Sequence, residues 1–444
     1  MMTAPIKHPL NRRTEKMNKV LSSIIDNKKV LILGFGREGK STLREIMALG
    51  GFSSVTISDK NAVSDIGYDN VETITGEEYL DCLDDFDVVF KSPGVVLPKS
   101  IDTYKCHITG EMDVFLEAYG KQVIGITGTK GKSTTSSLIA HILRESGRKV
   151  LFAGNIGIPV FDIAREVEPD SIIVVEMSCH QLEFIRFSPH VAVLLNIYED
   201  HLDHYITRAR YAEAKKNIYR YQDSSDVLFI SGETLPECED IPGEITVVDK
   251  CMAPFEKLEE TGSMLKGEHN VLNAAFAYKA VSYYGITSGE FMNAFPSFKG
   301  LPHRLEFIGN KDGIDFYDDS ISTTVKSAIS AIESIDNAGT ILLGGMERNL
   351  EYEELIDYLK TCKLNRIIFM YDSGQRMYSM YKEATKSLEN APEAVYTENL
   401  EEAVKNAIAY AKEGSAVLLS PAAASYGYFK NFEERGAVYK SLIF

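Results

Sequence analysis

The feature that most constrains this chain is a short apolar run that ends in a phosphate-sized loop and then becomes a helix. Val123-Ile124-Gly125-Ile126 reads as a buried strand, and Gly128-Thr129-Lys130-Gly131-Lys132-Ser133-Thr134 follows at once. Leu138, Ile139, Ile142 and Leu143 then fall on one helical face. Strand, glycine-bearing loop and helix in that order bring backbone N–H groups and a helix N-terminus to one point, which suits a phosphate. Lys132 is placed to reach the outer phosphates, and the Ser133 hydroxyl to bind Mg²⁺. The usual pattern has glycine where Ile126 stands here, so a plain turn joining strand to helix is the alternative reading.

Two further blocks have the same alternation. Val30-Leu31-Ile32-Leu33 runs into Gly34-Phe35-Gly36-Arg37-Glu38-Gly39, a helical stretch follows, and Val55-Thr56-Ile57-Ser58 ends at Asp59. Val88-Val89-Phe90 then meets the turn Ser92-Pro93-Gly94. Strand, Gly-x-Gly-x-x-Gly, helix, strand, acid is the order of a nucleotide-binding βαβ unit. A dinucleotide cofactor, the nucleotide part of a substrate, and a tight packing turn all remain open for it. After Lys299-Gly300-Leu301-Pro302, strands are expected at Ile341-Leu342-Leu343, Ile367-Ile368-Phe369-Met370 and Ala416-Val417-Leu418-Leu419. In the middle block Ile172-Ile173-Val174-Val175 and Val191-Ala192-Val193-Leu194-Leu195 are continuous apolar strands, which implies a parallel sheet covered on both faces. Val227-Leu228-Phe229-Ile230 and Ile245-Thr246-Val247-Val248 read as its edge strands.

The expected fold class is α/β in three domains. A Rossmann-like domain covers 29–120, a central P-loop ATPase domain with a parallel-rich sheet 121–300, and a Rossmann-like C-terminal domain 301–444. Residues 1–28 read as an N-terminal extension without the apolar segment of a secretory signal. A length of 444 residues agrees with about three domains. The net charge of −17 argues against nucleic-acid binding. No apolar run is long enough for a membrane helix. Six scattered cysteines without Cys-x-x-Cys pairs suit reduced thiols in a cytosolic protein.

Other candidate site residues sit where strands are expected to end. Glu176 closes Ile172–Val175, and a carboxylate there could hold Mg²⁺ beside phosphates, although a helix cap is the commoner use of such an acid. Glu199-Asp200-His201-Leu202-Asp203-His204 follows the next strand and offers acids suited to Mg²⁺, a less apt set for zinc, or a polar helix start. His269-Asn270 and Asn273 open an apolar helix, where asparagine is often only a cap. Asp318-Asp319-Ser320 follows Phe316-Tyr317 as a possible strand-end site.

Taken together these segments resemble the Mur ligases, which build the peptide stem of peptidoglycan. The resemblance runs over about 29–444 and rests on the phosphate loop, Gly154-Asn155-Ile156-Gly157, Glu176-Met177-Ser178-Cys179-His180-Gln181-Leu182-Glu183 and Asn196-Ile197-Tyr198-Glu199-Asp200-His201-Leu202-Asp203. Gly267-Glu268-His269-Asn270-Val271-Leu272-Asn273 and Gly300-Leu301-Pro302-His303-Arg304 extend it. The tail, Leu419-Ser420-Pro421-Ala422-Ala423-Ala424-Ser425 with Phe429-Lys430-Asn431-Phe432-Glu433-Glu434-Arg435-Gly436, is similar to the branch that adds D-glutamate to UDP-N-acetylmuramoyl-L-alanine. The resemblance implies that the first glycine turn holds the UDP of a substrate, with Arg37, Glu38, Asp59, Ser92, Gly94 and Asn155 around it. It implies ATP on Gly128–Thr134 with Asn273, Arg304 and Asp319, and glutamate on Thr323, Arg348, Ser425 and Phe432. It implies catalytic roles for Lys132, Glu176, His201 and Lys215, with Mg²⁺ on Ser133, Glu176, His201 and Lys215 as a carbamate. On spacing alone Lys215 is a surface lysine of a helix.

The implied chemistry is attack of a precursor carboxylate on the γ-phosphate of ATP, giving an acyl phosphate that an amine then opens. The implied partners are small molecules only, in a cytoplasmic monomer with neither nucleic acid nor membrane. Three positions depart from the D-glutamate branch: Lys130 stands for Asn, Ile321 for Lys, and Arg348 for Lys. A related ligase adding L-glutamate or another amino acid is therefore an alternative, as is an ATP-binding regulatory protein without ligase activity. Folylpolyglutamate synthetases share the central design but start near the phosphate loop, whereas a whole βα block precedes it here.

Overall fold

The computed structural model describes residues 15–64, 66–155, 158–198, 205, 207–265, 267–348 and 350–444. The first sheet is built from β1 (Lys29–Leu33), β2 (Ser54–Asp59), β3 (Glu72–Thr75), β4 (Val88–Lys91) and β5 (His107–Thr109). Its order is β3-β2-β1-β4-β5 and every pairing is parallel. The second comprises β6 (Val123–Thr127), β7 (Val150–Gly154), β8 (Ile172–Glu176), β9 (Val191–Leu194), β10 (Val227–Ser231) and β11 (Glu244–Val248). It runs β11-β10-β9-β6-β8-β7, again wholly parallel. The third takes β12 (Glu306–Lys311), β13 (Ile314–Asp318), β14 (Ala338–Leu343), β15 (Arg366–Met370), β16 (Glu393–Thr397) and β17 (Ala416–Leu419) in the order β12-β13-β17-β14-β15-β16. Its β12 and β13 form an antiparallel hairpin, and the other pairings are parallel.

Burial explains why these runs become central strands. Every residue of β6, β8 and β9 is buried, as continuous Val/Ile/Leu runs covered on both faces should be. Val227–Ile230, expected at an edge, instead lies inside the sheet between β9 and β11, and β10 is buried along its whole length. Of the two, only β11 is an edge strand, with Glu244 and Ile245 exposed. Residues 15–25, expected within an extension, form helix α1 (Glu15–Ile25). Its Met17, Leu21 and Ile25, spaced by four, are buried in the core shared with α3 (Glu111–Tyr119).

The chain divides into two compact units. One ends at Lys257 and takes in Glu268–Phe295, and the other comprises Leu258–Gly267 and Pro296–Phe444. The first and second sheets therefore share a unit. In each sheet one strand has neighbours reached by opposite routes: β1 between β2 and β4, β6 between β9 and β8, β17 between β13 and β14. Open parallel sheets bind ligands beyond the carboxyl ends of strands at such a reversal.

Candidate functional site

The loop after β6 is held by side chains far from it in sequence. Gly131 has φ +86° at the start of α4 (Lys132–Glu145), and a Cβ there would lie 2.4 Å from Asn273 Oδ1. Only glycine fits that conformation and that contact. Asn196, just beyond β9, accepts from the Thr129 and Lys130 amides at 3.0 and 2.8 Å and donates to Lys130 O at 3.0 Å. Asn273 itself is buried and donates to Asn270 Oδ1 at 2.9 Å. Lys130 points its side chain to the exposed surface, and Thr134 sits half-buried in the first turn of α4.

Two lysines converge on this loop. Lys132 Nζ donates to Gly128 O at 2.9 Å and to Thr129 O at 3.0 Å. Lys215, on the helix Arg208–Arg220, donates to the same Gly128 O at 2.9 Å. It is 1% exposed and lies 4.6 Å from the centre of the Tyr211 ring, whose hydroxyl meets Thr129 Oγ1 at 3.0 Å. The surface position expected from spacing is thus corrected: Tyr211 and the loop bury this lysine beside the phosphate site.

Glu176 ends β8 one strand away, in register with Ile126. Its Oε1 accepts from Asn155 Nδ2 at 2.8 Å, whereas Oε2 is buried with no hydrogen-bond partner among the described residues. A buried carboxylate oxygen left unpartnered is costly, and a hard divalent cation bound by oxygens is what such an atom fits. Ser133, buried in the first turn of α4, adds a hydroxyl at the same end of the sheet. His201 and Glu199–His204 lie outside the described residues.

A second crevice of about 520 Å³ opens beyond β1 and β4. Gly34, Arg37, Glu38, Asp59, Ser92 and Gly94 line one side, and Gly154, Asn155 and Gln181 the other. Its floor is tied together locally. Ser92 Oγ donates to Gly34 O at 2.7 Å, and Asp59 accepts from the Phe35 and Asn61 amides at 2.7 and 2.8 Å. Asn155 also donates its amide to Glu176 O at 2.8 Å, so this crevice adjoins the segment that carries Glu176.

The other unit gathers its candidate residues at the ends of β13, β14 and β17. Asp319 is buried and accepts from Ser420 Oγ at 2.7 Å and Leu305 N at 3.1 Å. Burial pushes its carboxyl up to about 6, against the hydrogen bonds and Arg304. Ser425 is buried, Thr323 and Phe432 are half-buried, and Arg304 and Arg348 are exposed. The segment carrying Arg348 is stitched to the β17 loop, with Gly344 N donating to Pro421 O at 2.8 Å and Met346 N to Ala424 O at 2.9 Å. His303, Glu306 and Asp318 have ligand atoms within 4.8 Å of one another. Lys440 already serves the two carboxylates, 2.7 Å from Glu306 and 3.6 Å from Asp318, and His303 Nδ1 lies 2.6 Å from Asp318.

Sequence reasoning assigned no role to Asn196, Gln181, Tyr211 or Arg435. The spacing Ser178-x-x-Gln181 is a capping-box signature, and the structure forms that box. Arg435 is fully buried on the helix Phe432–Ile443, donating to Ser320 O at 2.7 Å, Ser320 Oγ at 3.0 Å and Ala423 O at 3.1 Å. Gly436 follows it because a Cβ would come within 2.1 Å of His303 Nδ1.

Comparison with known proteins agrees with this geometry. The family described as "Mur ligase middle domain" matches residues 126–239, and "Mur ligase, glutamate ligase domain" matches residues 303–423. The UDP-N-acetylmuramoylalanine–D-glutamate ligase of Clostridium botulinum (strain Langeland) is 30% identical, covering 94% of this chain and 97% of the relative. The enzyme of the same name from Clostridium kluyveri is 30% identical, with 94% and 96% covered. The crystal structure of MurC from Thermotoga maritima superposes with a TM-score of 0.55 at 19% identity, covering 93% of this chain and 98% of that one. MurF from Thermotoga maritima in complex with ADP gives 0.54 at 17%, covering 95% and 96%. Fold and relatives define the class first, an ATP-dependent ligase of peptidoglycan precursor synthesis. The chain belongs to the Mur ligase family.

Proposed function

We propose that this ligase joins D-glutamate to UDP-N-acetylmuramoyl-L-alanine. The observation that carries the reading is 30% identity to D-glutamate ligases over nearly the whole of both chains. The domain roles follow: 29–120 for the UDP-sugar, 121–300 for ATP, 301–444 for the amino acid. Arg37, Asp59, Ser92, Gly94 and Asn155 form the UDP-substrate site, and Glu38 stands in its wall. Gly128–Thr134, Asn273, Arg304 and Asp319 serve ATP, and Thr323, Arg348, Ser425 and Phe432 the amino acid. We assign the reaction to the cytoplasm and to a monomer. Among the described residues, no helix is long and apolar enough to cross a membrane.

The terminal carboxylate oxygen of the precursor attacks the γ-phosphorus, and the bond to the β-phosphate oxygen breaks, releasing ADP. The amine nitrogen of glutamate then attacks the acyl carbon, loses a proton, and expels phosphate. Lys132 offsets the repulsion between the two anions of the first step. Ser133, Glu176, His201 and carbamylated Lys215 would hold Mg²⁺, which would supply further charge neutralisation. Two features support this set: the unpartnered Glu176 oxygen and the burial of Lys215 beside Gly128. A carbamate there would turn the ammonium into an anion able to bind Mg²⁺.

The test is phosphate release with UDP-N-acetylmuramoyl-L-alanine and D-Glu, L-Glu or L-Lys in parallel. D-Glu alone should give turnover. Ile321 and Arg348 favour one second reading, an L-glutamate-adding relative, and turnover restricted to L-Glu would establish it. ATP hydrolysis indifferent to every amino acid would overturn both. Lys215→Ala should abolish turnover with no rescue by excess bicarbonate, and a wild-type rate in that variant would remove the carbamate.

A further inference from the structure

The crevice beyond β1 holds a carboxylate in its wall, which is an odd neighbour for a diphosphate. Glu38 opens α2 (Arg37–Leu49), the helix whose N-terminus faces that crevice. Its carboxylate is taken up by Gln181, whose Nε2 donates to Glu38 Oε1 at 2.6 Å. Gln181 is committed at its other end too. Its Oε1 accepts from Ser178 N at 2.9 Å and Ser178 Oγ at 3.1 Å, while Ser178 Oγ accepts from the Gln181 amide at 3.2 Å. These bonds fix which end of the amide is the donor. Ser178 lies two residues beyond Glu176, on the turn where β8 leaves the second sheet. The carboxylate is further enclosed by Lys91 of β4 and Glu111 of α3, with Lys91 Nζ 3.9 Å from Glu183. Burial lowers the Lys91 ammonium to about 8 and raises both Glu38 and Glu111.

We propose that Glu38 is a positioning residue of the ligase reaction, bracing through Gln181 and Ser178 the turn that aims Glu176, and is not itself a contact of the UDP-substrate. Asn155 braces the other side of the same segment, through its bond to Glu176 Oε1. The first sheet's nucleotide helix is thereby mechanically part of the phosphoryl-transfer site. A brace of this kind acts on turnover, because it sets geometry at the reacting centre, where small displacements are expensive. A substrate contact would act on affinity instead. The proposal rests on the reading of this crevice as the UDP-substrate site.

The experiment uses the full chain with Glu38→Ala, Glu38→Gln, Gln181→Ala and the double Glu38→Ala/Gln181→Ala. Thermal melts check folding, calorimetry measures the Kd of UDP-N-acetylmuramoyl-L-alanine, and phosphate release gives kcat. Glu38→Ala and Gln181→Ala should each lower kcat about tenfold, the size expected for losing one charge-assisted hydrogen bond. Kd should stay within about twofold. The double variant should be no worse than either single one, and Glu38→Gln, which still offers an acceptor to Gln181, should recover most of the loss. A Glu38→Ala variant that weakens binding at unchanged kcat overturns the proposal, as do losses that multiply in the double variant. Wild-type protein that binds neither UDP nor the UDP-substrate overturns the crevice reading and, with it, the proposal.

Discussion

The candidate sites beyond β6 and β17 both lie past the carboxyl ends of central strands, yet they are held by different means. Beyond β6 the phosphate loop is one contiguous stretch shaped by its backbone conformation, with Gly131 at positive φ, and Asn196 from beyond β9 grips two of its successive amides. Beyond β17 the candidate residues arrive on segments near 320, 346 and 425, and the guanidinium of Arg435 joins two of these by bonding Ser320 and Ala423. A site built on contiguous backbone tolerates change around it and depends on a few functional atoms. A site assembled from distant segments depends on the residue that assembles it.

Four outcomes would break or sharpen this contrast. The largest is expected from Lys132→Ala, where loss of a preorganised cation at the transferred phosphate should cost about 10²–10³ in kcat with the fold intact. Phosphate release and a melting curve together check it, and equal damage to fold and rate would weaken the contrast. Next comes the buried carboxyl of Asp319. Its folded value of about 6 lies above that of the unfolded chain, so the folded protein holds the proton more firmly. Stability should therefore fall as pH rises from about 4 to about 6 and level off above that, by up to about 3 kcal/mol. Denaturant titrations across that range measure it, and Asp319→Asn should flatten the slope.

Arg435→Met should cost about 1–3 kcal/mol by leaving the Ser320 and Ala423 carbonyls without their donor. It should weaken glutamate use far more than ATP binding, which steady-state KM values for the two substrates resolve. Asn196→Ala should have the smallest effect, about tenfold in ATP affinity, because the loop keeps its backbone geometry when one clasp is lost. A fall in ATP affinity larger than the loss of glutamate use in the Arg435 variant would reverse the ranking of the two sites.

Legibility in the sequence follows the same division. The phosphate loop could be read because strand, loop and helix are adjacent, and apolar runs such as Ile172–Val175 announce strands buried on both faces. The hairpin of β12 and β13 could not, since β12 is at most half-buried along its whole length and a bulge falls between Phe307 and Gly309. The burial of Lys215 was hidden because it depends on Gly128, which is 87 positions away. The helix at 15–25 was masked by its polar content, although Met17, Leu21 and Ile25 keep a strict spacing. The segment Leu258–Gly267 joins the second unit from within the stretch expected to be central, and nothing in its composition marks the crossing.

The place of β17 bears on how the protein is made. The last strand in the chain, Ala416–Leu419, is inserted between β13 and β14, and the helix bearing Arg435 comes later still. During synthesis the first two sheets can form as soon as their residues emerge, because none of their strands comes from beyond residue 248. The third sheet stays split into the β12–β13 hairpin and the β14–β15–β16 part until residue 419 has been made, and the helix bearing Arg435 has not yet been polymerised at that point. A nascent chain stalled before residue 416 would carry a folded phosphate loop and exposed edges on β13 and β14, a state in which chaperone capture or misassembly with a neighbouring chain is most costly.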